Sequence, residues 1–260
     1  MRRLAALLLA LLVAPLAAQP AAPTEIPLER AALVKRFPHD PAAFTQGLFI
    51  DRGQLFESTG MVGRSSVRLV DLASGKVLKS AAIPAPHFGE GIAPWNGQVL
   101  SLTWQSGLGF RWGRGSLRQI GTFRYSGEGW ALTSSGKELV MSDGTDTLRF
   151  IDPKRFAVLR SVKVTIRGRP LNQINELEWI EGQLFANIWM TDYVVRIDPA
   201  SGKVIGIIDL GDLHRDSGAF GHGQVANGIA WDARTRKLYL TGKEWPWLYE
   251  VKLEPAGSAG

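Results

Sequence analysis

Five segments of this 260-residue chain open alike, and that repetition constrains the fold more than any other feature. A Gln, Glu or Asn begins a short apolar run at Gln46-Gly47-Leu48, Glu90-Gly91-Ile92, Glu128-Gly129-Trp130, Asn175-Glu176-Leu177 and Asn227-Gly228-Ile229. A second signal follows each: Gln54-Leu55-Phe56, Gln98-Val99-Leu100, Glu138-Leu139-Val140, Gln183-Leu184-Phe185 and Lys237-Leu238-Tyr239. The gap is 8 residues in three repeats (46 to 54, 90 to 98, 175 to 183) and 10 in the other two (128 to 138, 227 to 237). From Gln54 through Gln98, Glu138 and Gln183 to Lys237 the steps are 44, 40, 45 and 54 residues.

Each unit reads as four short antiparallel strands. Asp51-Arg52-Gly53, Trp95-Asn96-Gly97, Ser135-Gly136, Glu181-Gly182 and Ala233-Arg234 separate runs rich in β-branched and aromatic residues, as hairpin loops do. A second recurrent turn, at Asp71–Gly75, Asp152–Arg155 and Asp198–Gly202, joins a further pair of strands. Units of roughly 40–50 residues with four strands each are the signature of propeller blades. The expected fold is therefore all-β, a five-bladed β-propeller over residues 33–253, with Leu248–Leu253 as its last strand. Ala31–Phe37 should return to the last blade and close the ring, because an open ring leaves a free sheet edge.

Outside that unit, Arg2 and Arg3 precede an apolar run from Leu4 to Val13 and then Ala14-Pro15-Leu16-Ala17-Ala18. This is the pattern of a cleavable signal peptide over residues 1–18, and the run is shorter than the ~17 residues that span a bilayer. Export to a periplasmic or extracellular compartment, with no stable membrane span after cleavage, is the expectation. Residues 19–32, rich in Ala and Pro, read as a flexible arm, and 254–260 as a tail. The absence of cysteine suits an oxidising compartment and excludes thiol nucleophiles, disulfides and Cys-ligated zinc. The net charge of +6 comes from scattered Lys and Arg without a run, so nucleic acid is not an expected partner. A monomer is expected.

Equivalent positions of propeller blades meet around one axis. Gln46, Glu90, Glu128, Asn175 and Asn227 should thus form a polar ring at one mouth, although Glu128 and Asn227 would equally suit the satisfaction of backbone groups or of channel water. Six residues after each second signal stand Gly60, Trp104, Gly144, Trp189 and Lys243, at strand ends that should rise at the same mouth. Trp130, two residues after Glu128, and Phe88, two before Glu90, add further walls. Trp95, Trp112, Trp179, Trp231, Trp245 and Trp247 read as packing or rim. The four histidines, at 39, 87, 214 and 222, share no motif, and HExxH, EF-hand and Gly-x-Ser-x-Gly patterns are absent. No catalytic transition metal or nucleotide is implied. What remains is a carboxylate, Glu90, among aromatic walls that would raise its pKa and suit it to proton transfer.

These residues also carry a resemblance. Phe44-Thr-Gln-Gly-Leu48, Phe88-Gly-Glu-Gly91, Leu102-Thr-Trp104, Glu128-Gly-Trp130, Met141-Ser-Asp-Gly144, Asn175-Glu-Leu-Glu178, Ala186–Asp192, Arg196-Ile-Asp-Pro199, Asn227-Gly-Ile-Ala230 and Thr241-Gly-Lys243 occur in the order seen in plant-type glutaminyl-peptide cyclotransferases. The chain resembles that family, bacterial members included, from about residue 33 to 252. Gly109-Phe-Arg-Trp112 and Asn172-Gln-Ile174 depart from its pattern at rim and packing positions. The resemblance implies a five-bladed propeller that converts the N-terminal glutamine of peptides or proteins to pyroglutamate with release of ammonia. It implies Glu90 as the acid/base residue, and Phe44, Gln46, Phe88, Trp104, Trp130, Asn175, Trp189 and Lys243 as the pocket. Lys243 joins Glu90 as a catalytic candidate. No cofactor is implied, although a structural Ca²⁺ in the channel is compatible. Two other readings fit a polar-mouthed propeller: a metal-dependent, lactonase-like hydrolase, and a non-catalytic module that holds a peptide end.

Overall fold

The computed structural model describes residues 25–257, and its architecture is all-β and propeller-like. Strand β1 (Leu28–Pro38) is followed by a four-stranded antiparallel sheet, β2 (Thr45–Asp51), β3 (Gln54–Thr59), β4 (Ser66–Val70) and β5 (Val77–Ala82). Two more sheets of the same order come next. They are β6 (Gly89–Trp95), β7 (Gln98–Thr103), β8 (Leu108–Gly113) and β9 (Gln119–Arg124), then β10 (Ala131–Ser134), β11 (Leu139–Ser142), β12 (Thr147–Ile151) and β13 (Val158–Lys163). A small hairpin, β14 (Thr165–Ile166) and β15 (Arg169–Pro170), precedes β16 (Ile174–Ile180), β17 (Gln183–Ile188), β18 (Tyr193–Ile197) and β19 (Val204–Asp209). A short helix, α1 (Gly211–Ser217), leads to β20 (Ala226–Asp232), β21 (Lys237–Gly242) and β22 (Trp247–Pro255).

The loops explain the two repeat gaps. Arg52, Asn96 and Glu181 all take positive φ ahead of a left-handed glycine. Each of these two-residue loops joins strands paired on either side of it: Asp51 to Gln54, Trp95 to Gln98 and Ile180 to Gln183. Such loops match the twist of the strands they connect. Where the gap is 10, pairing resumes across four residues instead, from Ser134 to Leu139 and from Asp232 to Lys237.

Ring closure is the function of β1. It pairs antiparallel with β22 from Glu29 opposite Pro255 to Pro38 opposite Trp247, and its first residues pair parallel with β19, Leu28 opposite Ile207. The last two units therefore merge into one eight-stranded sheet. This corrects two boundaries. The end of the expected 19–32 arm is strand from Leu28 onward, because both neighbours offer it backbone partners, and β22 takes the first two residues of the expected tail, running to Pro255. The expected signal peptide and residues 19–24 lie outside the described residues. Among the described residues no helix is long and apolar enough to cross a membrane.

Burial grades outward from the axis. Strands β2, β6, β16 and β20 are buried along most of their length, whereas β5, β9 and β13 are mostly exposed. The apolar core lies between neighbouring sheets, as with Phe49, Phe56, Val67, Ile92, Val99 and Phe110. Strands β2, β6, β10, β16 and β20 pack in succession, and β20 returns to β2. Two carboxyl groups of β16 reinforce this inner ring. Glu176 accepts the backbone N–H of Leu48 (3.2 Å) and of Ile229 (3.0 Å), and Glu178 accepts that of Trp231 (3.1 Å) and the Thr133 hydroxyl (3.1 Å). Burial drives both pKa values up, that of Glu178 to about 8 against the opposing Trp231 and Thr133 hydrogen bonds.

A carboxyl raised in the folded state keeps its full stabilising contribution below its unfolded pKa and loses it as pH climbs through the folded value. Stability should therefore decline between the usual carboxylate range and about pH 8 on account of Glu178. Glu178→Gln, a neutral isostere, should match the parent in thermal melts near pH 5 and exceed it by about 3 °C or more above pH 8.

Candidate active site

Four of the five repeat openers sit at an interruption of strand pairing. The register of β2 breaks between Thr45 and Gly47, that of β6 between Gly89 and Ile92, that of β16 between Ile174 and Leu177, and that of β20 between Ala226 and Ile229. Gln46, Glu90, Asn175 and Asn227 are the residues released there. A bulge bends the strand and re-aims the side chain it frees. Across the same end run matching backbone hydrogen bonds, from Gly60 to Phe44 (2.8 Å), Trp104 to Phe88 (3.0 Å), Trp189 to Gln173 (2.8 Å) and Lys243 to Val225 (2.9 Å). The residue two before each opener is thereby brought level with the residue that ends the second strand.

The result is a cavity of about 610 Å³. Glu90, Lys243, Phe44, Gln46, Phe88, Trp104, Trp130, Asn175 and Trp189, the nine residues singled out from the sequence, all line it, together with Glu128, Gln173, Met190, His222 and Gly223. Its walls are a run of edge-on aromatic contacts: Phe44 to Phe88 (6.3 Å between centroids), Phe88 to Trp104 (6.0 Å) and Trp130 to Trp189 (5.7 Å). Two members of the strand-end set contribute by having no side chain. A Cβ on Gly60 would stand 2.4 Å from the Phe88 ring, and one on Gly144 would stand 2.6 Å from the Trp130 indole. The repeat thus supplies Trp104, Trp189 and Lys243 at three equivalent positions and space for a neighbouring ring at the other two.

The charges inside are unequally treated. Burial pushes the Glu90 carboxyl well above the usual carboxylate range; the Lys243 ammonium opposes the rise and the charge of Glu128 adds to it. Burial lowers the pKa of Lys243 in turn, against the pull of Glu90, and its Nζ lies 4.8 Å from the centre of the Phe44 ring. Gln46 is fixed at both ends of its amide: Nε2 lies 3.4 Å from Glu90 Oε1, and Oε1 accepts from Asn227 Nδ2 at 3.3 Å. Asn175 is buried, and its Oδ1 has no protein donor.

Asn227 departs from the expected ring. It is fully buried and does not line the cavity; it lies behind Gln46, binding its side chain and the Thr45 carbonyl (2.8 Å), so it serves the backbone role that was its alternative. Glu128, with the same alternative, does line the cavity. Gln173, Met190, His222 and Gly223 were not foreseen. Gln173 had a signal, since it stands two residues before its opener as Phe44 and Phe88 do. His222 had none, as it comes from the segment between α1 and β20. None of the six tryptophans assigned to packing or rim lines the cavity. Among the described residues no three His, Cys, Asp or Glu side chains converge as a metal-binding group.

A profile of the glutamine cyclotransferase family matches residues 6–253. The chain belongs to that family. It is 41% identical over 230 residues to the glutaminyl-peptide cyclotransferase of Arabidopsis thaliana, covering 87% of this chain and 72% of that one. The crystal structure of Myxococcus xanthus glutaminyl cyclase superposes with a TM-score of 0.85 at 38% identity, over 89% of this chain and all of that one.

In this family member a buried ion pair ties the Lys243 turn to the strand that carries Gln46. The His39 ring bonds the Trp245 carbonyl through Nδ1 (2.7 Å) and Glu57 Oε1 through Nε2 (2.9 Å), and Glu57 also accepts the Thr45 hydroxyl (2.8 Å). Burial disfavours the imidazolium, yet Glu57 and the Trp245 carbonyl outweigh it and the pKa of His39 ends raised. Two acceptors on two ring nitrogens require both to carry protons. The steric account of the walls predicts that Gly60→Ala costs about 1–3 kcal/mol in chemical denaturation by overpacking against Phe88. Gly144→Ala should cost at least as much, since Gly144 also has φ +78°.

Proposed function

We propose that this cavity cyclises the N-terminal glutamine of peptides or proteins to pyroglutamate by metal-independent intramolecular aminolysis. The observation that carries the reading is the convergence of one desolvated carboxyl group, one buried ammonium and three indoles in a single cavity. Membership of the glutamine cyclotransferase family supports it.

The free α-amine attacks the carbon of its own side-chain carboxamide. A C–N bond forms and closes a five-membered lactam, the bond to the amide nitrogen breaks, and ammonia leaves. Glu90, as carboxylate, takes the proton lost by the amine and returns it to the departing nitrogen. A carboxyl with raised pKa suits both halves of that transfer near neutral pH. Lys243 and Gln46 donate to the carboxamide oxygen as it gains negative charge. Asn175 donates through its Nδ2 as well, and its Oδ1, without a protein donor, accepts a substrate N–H. Phe44, Phe88, Trp104, Trp130 and Trp189 hold the folded-back side chain and exclude water. The scaffold we infer is a five-bladed ring. The closed succession of β2, β6, β10, β16 and β20 supports that count, with the eight-stranded sheet read as two blades joined through β1.

A Gln-led dipeptide incubated with the protein and EDTA should release ammonia. A metal-dependent lactonase-like hydrolase would lose its activity to the chelator, and a non-catalytic module would bind the dipeptide without product. Glu90→Gln should lower kcat by about 10²- to 10⁴-fold with the fold intact; near-normal turnover would reject Glu90 as the proton carrier. Because the working base is the ionised form, activity should fall as pH drops through the raised pKa of Glu90, well above the range of an ordinary carboxylate. Lys243→Ala should lose more turnover than Lys243→Arg, and equal losses would show that the charge of the side chain contributes nothing.

A further inference from the structure

We propose that Glu128 is a positioning residue whose carboxylate bridges the break in the aromatic wall and holds Trp104 and Trp130 at the angle the reaction needs. The inference rests on the cyclisation reading above. The wall is continuous from Phe44 through Phe88 to Trp104, and again from Trp130 to Trp189. Between Trp104 and Trp130 the link is Glu128. Its Oε2 accepts the indole N–H of Trp104 and that of Trp130, each at 2.8 Å, and its Oε1 accepts from Gln105 Nε2 at 2.9 Å.

An indole N–H can only donate, so each ring orients toward an acceptor. Packing alone leaves Trp104 loosely held, since 39% of it is exposed. One oxygen shared by two indoles fixes the rings relative to each other as well as to the backbone. The mount of Glu128 is itself secured. Arg149 donates to the carbonyl of Glu128 (2.7 Å) and to that of Ser126, and is paired with Asp143 at 3.3 Å. Tyr125, just before this turn, donates its hydroxyl to the Thr103 carbonyl, next to Trp104. A surface glutamate needs no such support; a group that must hold two walls in register does.

Glu128 also acts on Glu90 through its charge. Hydrogen bonds from Trp130, Gln105 and Trp104 keep its carboxyl below the usual range, so it remains an anion and an acceptor, while Glu90 is pushed the other way. The charged groups that bear on Glu90 are Glu128 and Lys243; the Gln46 amide touches it, and the Tyr125 phenol lies near enough to feel its charge. Removing the Glu128 charge lowers the pKa of Glu90 and moves the acid limb of the pH–rate profile downward.

The test compares Glu128→Ala and Glu128→Gln with the parent in steady-state turnover of a Gln-led dipeptide across pH, alongside thermal melts. Formation of the pyroglutamyl dipeptide together with ammonia by the parent establishes the cyclisation reading in the same assay, so loss of the inference is separable from loss of that reading. Glu128→Ala should lose roughly tenfold to a hundredfold in kcat/KM, the scale of a small misplacement of positioning groups. Glu128→Gln, whose carbonyl oxygen can still accept both indole N–H groups, should recover most of that loss. Both variants should shift the acid limb downward. Glu128→Ala with turnover close to the parent overturns the proposal, as do equal losses in the two variants with an unmoved limb. Should Glu128→Ala fail to fold, Glu128→Gln decides alone: an unmoved acid limb overturns the proposal, and a downward shift with most turnover retained supports it.

Discussion

Everything at the cavity depends on the backbone pairing of β1 with its two neighbours. A row of sheets related by repetition does not by itself enclose an axis; it must be joined end to end. Strand β1 does this by pairing antiparallel with β22 and parallel with β19, which leaves β20 packed against β2. Only then do bulged residues more than a hundred positions apart in sequence, such as Gln46 and Asn227, come within a hydrogen bond of each other. The carboxyl groups of Glu176 and Glu178 add cross-ties between inner strands that do not neighbour each other in sequence. Their burial carries a desolvation cost that rises with pH, which the backbone N–H groups they accept offset in part.

Against that rigid background the site separates like groups by environment. Glu90 and Glu128 line one cavity, yet one is pushed well above the carboxylate range by burial and the other is held below it by three hydrogen-bond donors. Divergent pKa values in neighbouring carboxyls suit the proposed division, with one as proton carrier and one as fixed charge. The Lys243 ammonium beside the Phe44 ring belongs to the same scheme. Its charge is costly where it sits, and it is retained by the aromatic face and by Glu90.

Much of this was legible in the sequence because propeller-like geometry converts repetition into position. The gaps of 8 and 10 residues are two loop lengths, and four of the five openers line one cavity with Trp104, Trp189 and Lys243 of the strand-end set. Phe44 was reached only through the resemblance, although the offset it shares with Phe88 would have found it, and Gln173 too. The two readings of Asn227 stayed open because the repeat sets which end of a strand a residue occupies, and leaves open which way a bulge turns its side chain. His39 was silent for another reason: its partners Glu57 and Trp245 are brought to it by ring closure and share no motif with it. Helix α1 and the segment that carries His222 interrupt the repeat, so no equivalent position could point to them. The edge of β1 was read a few residues short, since its first partners lie in β19, remote in sequence.

The chemistry explains why a stiff cavity suffices. In most acyl transfers an enzyme must gather two reactants, and much of its binding energy goes into that. Here the attacking amine and the carbonyl it attacks belong to one residue, so proximity is supplied by the substrate. What water denies such a residue is the combination of a folded side chain, an unprotonated amine and a protonated leaving nitrogen. In the proposed mechanism a wall of edge-on rings favours the first, and one desolvated carboxyl with a donor beside it serves the other two. Neither task calls for a lid or a domain movement. Both call for groups held still around an axis, and inner strands locked in a closed ring provide that directly.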